Sequence, residues 1–150
     1  MSDADVRQDL LDGIADAIDE LGLALATFAA AYELLDDNSA DRLEDELFGP
    51  VQKAYGRAKR THTAFATRRG LPTREFTQPS PGTASRDPRV FIARAVEAVN
   101  EAEERFIDLQ DSMMPVEYGD PELRAGLSEV REIVANVRAS SRMFSRTLGR

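Results

Sequence analysis

From Leu10 to Leu35 the chain places apolar or small side chains at Leu10, Ile14, Ala17, Leu21, Ala24, Phe28, Ala31 and Leu35, an unbroken alternation of three- and four-residue steps. An α-helix turns every 3.6 residues, so this spacing gathers all eight on one face. Leu11, Ile18, Leu25 and Tyr32 recur every seven residues beside that seam and widen it, while Asp9, Asp12, Asp16, Asp19, Glu20 and Glu33 avoid it. A stripe this broad must be covered by other elements. The pattern predicts a helix over about 4–36 and a helical core around it.

The rest of the chain supplies the partners. Ser39 is placed to cap a second helix over about 40–69, with Leu43, Leu47, Val51, Ala54, Ala58, Thr61 and Phe65 as its seam. Gly49 and Pro50 predict a kink or break there, because proline has no amide proton and crowds the preceding turn. Residues 70–87, GLPTREFTQPSPGTASRD, lack helical periodicity and predict one long loop. A third helix is expected over about 88–114 (Ile92, Ala95, Val99, Ala102, Phe106, Leu109, Met113). A fourth is expected over about 121–147 (Leu123, Leu127, Val130, Val134, Val137, Ser141, Phe144). The expected fold is all-α: a single domain, 1–150, folded as an antiparallel four-helix bundle in up-down-up-down order. The long loop is nevertheless able to run the whole length of such a bundle.

Composition narrows the chemistry. No cysteine is present, which excludes disulfides, thiolate metal sites and thiol nucleophiles and makes the cytoplasm the expected compartment. The net charge of −8 disfavours nucleic acid or an anionic membrane as the partner of the whole chain. The N-terminal MSDADVRQDL is acidic where a secretion signal would be basic, and LGLALATFAAAY is too short to cross a bilayer. A di-iron centre needs two Glu-x-x-His pairs; the chain has one histidine, His62, preceded three residues earlier by Lys59. No cofactor or metal is expected, since the seam positions carry no Asp or Glu.

Two short patterns nevertheless point to chemistry. Glu101 and Glu104, followed by Glu129 and Glu132, resemble the paired acidic motifs with which MazG-like all-helical nucleotide pyrophosphohydrolases hold magnesium. A third acid of the first motif is missing and Glu132 stands where aspartate is usual. Heptad position puts Glu101 and Glu104 on a solvated face, so no metal role is assigned to them. Arg57 and His62, within RAKRTH, resemble the Arg-x4-6-His motif of HEPN ribonucleases. That resemblance implies a catalytic pair acting on the RNA backbone at a dimer cleft. Ala58 stands where that family has a polar group, and the motif lies in the second helix rather than toward the C-terminus. Read from the residues, His62 is a half-buried side chain on the flank of its seam.

Charge and surface complete the reading. In up-down-up-down order Lys53, Arg57, Lys59, Arg60, Arg68, Arg69, Arg138, Arg142, Arg146 and Arg150 gather at one pole with the aspartates of the first helix. The acids of 33–46 and 101–122 gather at the other. Ile107 and Met114 lie one position beyond the third seam and form an exposed strip where a partner or second copy can dock. The function expected is therefore that of a non-enzymatic interaction or scaffold protein, with a protein partner or homodimer. The alternative is a metal-dependent nucleotide hydrolase or a ribonuclease using Arg57 and His62.

Overall fold

The computed structural model describes residues 1–148 and is all-α, with no strand among them. Helix α1 (Asp3–Tyr32) starts with a reciprocal cap: the Ser2 hydroxyl accepts from the Asp5 amide and the Asp5 carboxylate from the Ser2 amide, at 3.2 Å each. It ends at Tyr32, short of the expected 36, and Leu35 falls in the turn. The cap of the next helix is Asp36, not Ser39: the Asp36 carboxylate accepts from the Ser39 amide at 2.8 Å.

Helix α2 (Asp37–Leu43), a π turn (Glu44–Phe48) and helix α3 (Gly49–Arg68) follow as one continuous rod. The expected kink takes the form of the π turn, and Pro50 explains it. Proline cannot donate to the Glu46 carbonyl, so the helix widens and the Gly49 amide bonds Glu44 five residues back. Glycine fits this approach; a Cβ at 49 would stand 2.9 Å from the Glu44 carbonyl oxygen. Helix α4 (Pro88–Asp111) is capped by Asp87, and α5 (Met114–Glu117) and α6 (Pro121–Leu148) complete the chain.

The seams are buried almost throughout. Every expected seam residue of α3 and α6 is in the core, as are those of α1 through Ala31 and of α4 through Leu109. Met113 departs: α4 ends two residues earlier, Met113 turns the chain at φ 64°, and its side chain is 47% exposed. Tyr32, on the last turn of α1, is also exposed.

Side-chain neighbours fix the direction of each helix. On α1 and α4, Gly13 lies against Leu109 and Asp16 beside Arg105, so the two run antiparallel. Phe28 meets Phe48 and Gly22 meets Tyr55, so α1 and α3 are antiparallel. Arg57 meets Glu129 and Arg68 meets Asp120, so α3 and α6 are antiparallel as well. The order is thus up-down-down-up, and the expected up-down-up-down order is corrected. Residues 69–87 return the chain along the full length of α3, which an extended segment reaching over 3 Å per residue does with slack. No helix among the described residues is long and apolar enough to cross a membrane.

Candidate functional site

The returning segment forms a strap across the outside of α1. It leaves α3 through a glycine-based helix stop: Gly70 at φ 66°, with Leu71 N donating to Ala66 O at 2.9 Å and Gly70 N to Thr67 O at 3.2 Å. Pro72 then forbids any return to helix. Arg74 forks onto Asp19 of α1 at 2.9 and 3.1 Å and lies over the Phe76 ring. Pro79 reaches Gly22, whose missing side chain lets the strap and Tyr55 come close; a Cβ there would stand 3.5 Å from Tyr55 Cε1 and 3.7 Å from Pro79 Cδ. On the far side Arg94 of α4 takes the carbonyls of Thr83 at 2.7 Å and Pro81 at 3.4 Å.

Beneath the strap lies His62. Its ring meets the edge of Phe76 at 5.2 Å between centroids, and the residue is 3% exposed, buried rather than half-buried. Nδ1 is buried without a hydrogen-bond partner. Burial and the nearby Arg74 charge push its pKa below 6.5, against the opposing pull of the Leu11 backbone and Asp12. Arg57 faces elsewhere. Its Nε donates to Glu129 Oε2 at 2.7 Å and its Nη1 to Thr61 Oγ1 at 3.0 Å, on the α6 side. Five residues along a helix are about 140° apart around it, so the pair diverges. The fold does not bring the two together.

The acidic quartet does not converge either. Glu101 pairs with Arg105, Glu129 with Arg57, and Glu104 and Glu132 are exposed. Among the described residues no three of His, Asp and Glu gather as a metal site. One buried acid escaped the seam count. Glu103 is 8% exposed; its Oε1 accepts from Arg138 at 2.8 Å, and its Oε2 is unpartnered, as is Asn100 Oδ1 one turn earlier. Glu103 sits beside seam residue Ala102, and only the position of α6 buries it. The Ile107–Met114 strip is broken. The αL turn at Met113 redirects the chain, so Met114 packs against the core and Ile107 is only partly exposed.

The expected poles dissolve with the connectivity. Because α6 runs opposite to α3, its Arg138, Arg142 and Arg146 lie toward the end that holds 33–46, where Arg42 sits over Phe144. The acids of 101–122 lie at the other end, where Asp120 holds Arg68 and Arg69. Arg150, counted with the basic pole, lies outside the described residues. Each end therefore carries both signs. What survives is a transverse difference: α3 holds Lys53, Arg57, Lys59, Arg60 and Arg68 with no acid.

Beside the strap, this basic face opens into a groove of about 670 Å³ lined by Lys59, Arg60, Thr63, Ala64 and residues 74–77. Lys59 lies over the Tyr55 ring at 4.1 Å, and neither it nor Arg60 forms an ion pair among the described residues. No protein-family model, curated protein or solved structure matches the chain.

Proposed function

We propose that the chain is a non-enzymatic interaction module of the cytoplasm, a four-helix bundle that presents a docking face to a protein partner. One observation carries this reading: the unpaired cations Lys59 and Arg60 line an open groove, while Arg57 and His62 are each engaged elsewhere and do not converge. Arg57 is held by Glu129 and Thr61, and His62 is sealed under Phe76. A catalytic pair needs both groups within hydrogen-bond reach of one reacting centre. Positive charge outside ion pairs beside a concave surface instead favours recognition, through complementarity with a partner of opposite sign.

The test is direct. Wild-type protein is incubated with single-stranded RNA and with nucleoside triphosphates plus Mg2+, and both turnover and melting temperature are followed. The expected result is neither product nor a Mg2+-dependent rise in melting temperature, which any ligand of the native state produces. RNA cleavage that disappears in Arg57→Ala would replace the module reading with the ribonuclease one.

A further inference from the structure

We infer that the groove between α3 and the strap takes an extended acidic peptide segment of a partner, added as a strand along residues 73–78. The inference rests on the module reading above and names its site and the chemistry of its ligand.

The first support is the strap's backbone. Between Leu71 and Ser80 no main-chain amide or carbonyl is hydrogen-bonded to another described residue. Pro72 and Pro79 bracket this run, and Thr73, Arg74, Glu75, Phe76, Thr77 and Gln78 between them all keep their amide protons. The run is held in place by side chains, through the Arg74–Asp19 fork and the Phe76–His62 edge contact, which leaves its main chain available. A non-helical row of unpaired donors and acceptors, held in place by its side chains, is a template for a second, extended chain.

The second support is charge. Lys59 and Arg60 line the opposite wall and Arg74 the strap side, with Glu75 the sole acid among the lining residues. In an extended peptide alternate side chains point to opposite sides. Carboxylates at every second position can therefore face Lys59 and Arg60 on α3, while the intervening side chains point away from that wall. A nucleic-acid strand fits less well: its affinity scales with the number of phosphates neutralised, and this groove offers two cations outside ion pairs, Arg74 being held by Asp19, in a chain of net charge −8. A second copy of this chain is also a poor occupant, because its own acid-rich stretches, 37–46 and 97–111, are helical and their main chains are satisfied.

The experiment uses the full chain and a fluorescein-labelled peptide of about ten residues alternating Glu and Val, read by fluorescence anisotropy. Binding is expected at about 0.1 M salt and should weaken steeply toward 1 M. The Lys59→Glu/Arg60→Glu variant, whose sites are on the surface, should keep its circular dichroism and lose affinity by roughly tenfold or more. A Lys/Val peptide should not bind. The same Glu/Val peptide N-methylated at alternate residues should lose most of its affinity, since it cannot pair with the strap. Equal binding of the acidic peptide to wild type and to the double variant would overturn the groove while leaving an interaction module intact. Undiminished binding of the N-methylated peptide would overturn the added strand. Tighter binding of a single-stranded RNA with the same number of charges would overturn the peptide as ligand.

Discussion

The α1–α4 and α3–α6 contacts are both antiparallel helix pairs, yet they are held differently. Between α1 and α4 the approach is apolar: Gly13 admits Leu109, and Ala17, Ala24, Ala95 and Ala102 are fully buried. Thr27 is buried in this region too, but its hydroxyl donates to its own helix, to Leu23 O and Ala24 O at 2.9 Å, so no polar bond crosses. At the rim Arg105 reaches Asp16 and Glu20 only at 4.0 Å. Between α3 and α6 the rim is fastened by Arg57–Glu129 at 2.7 Å and by the Arg68–Asp120 fork at 2.9 Å for both bonds. The difference teaches where stability and surface chemistry separate. Small side chains bring α1 and α4 together by burial, whereas Arg57 and Arg68 of α3 are engaged at α6 and Lys59 and Arg60 line the groove beside the strap.

The largest effect should come from the apolar pair. Phe106, in α4, is 1% exposed in the core. Phe106→Ala removes most of a buried ring and leaves a cavity, costing about 3–5 kcal/mol. Denaturant unfolding at low and high salt should show the same loss at both. A loss that shrinks markedly with salt would mean that charge contributes to this pair after all.

Next come the two glycines at the points of closest approach. A Cβ at Gly126 would run into Thr61 Oγ1, which is fixed by a 2.8 Å bond to Arg57 O and a 3.0 Å bond from Arg57 Nη1. Gly126→Ala should therefore destabilise by about 1–3 kcal/mol, as overpacking does, even though alanine favours helix. A Cβ at Gly13 meets only the tip of Leu109, at 2.6 Å from Cδ2, and that side chain can rotate away. Gly13→Ala should cost under about 1 kcal/mol, because the gain in helix propensity offsets the adjustment. Melting of the two variants side by side checks the order, and a reversed order would break the contrast between locked and yielding neighbours.

The smallest effects are in acid. His62 has a folded pKa below 6.5, so the unfolded chain binds a proton there before the folded chain does. Its contribution to stability is complete above about pH 6.5 and is lost as pH falls toward the lowered value. His62→Leu should flatten that window. Asp120 acts lower down: burial alone would raise its pKa, but the Arg68 bonds, the Leu123 amide and the charges of Arg68 and Arg69 outweigh it and hold it below 3.8. Its contribution is present above about pH 3.8 and disappears as pH drops through the lowered value. Stability measured from pH 8 to 3 should show two separate declines, and a single decline confined to the carboxylate range would deny the buried state of His62.

Much of the fold is legible in the sequence. The seam from Leu10 to Ala31 and those of α3 and α6 are buried as their periodicity requires, because helical hydrogen bonds and side-chain faces are set by residues three and four apart. Asp87 before Pro88, and Arg69–Gly70–Leu71–Pro72 at the strap's origin, are local signals of the same kind. The candidate site was only half legible. RAKRTH stood out as basic, yet its arginine and histidine part company around the helix, and nothing near Glu103 in the chain foretells that Arg138 will cover it. These depend on which helix neighbours which, and the 69–87 segment is long enough to permit either a neighbouring return or a full-length one. Packing of the four stripes against one another chose the full-length return. That choice laid the strap over His62, set Arg142 and Arg146 of α6 at the opposite end from Arg68 and Arg69, and left Lys59 and Arg60 lining an open groove. Short-range hydrogen bonding and periodicity wrote the helices into the sequence; the long-range burial that orders them exists only once the chain has closed on itself.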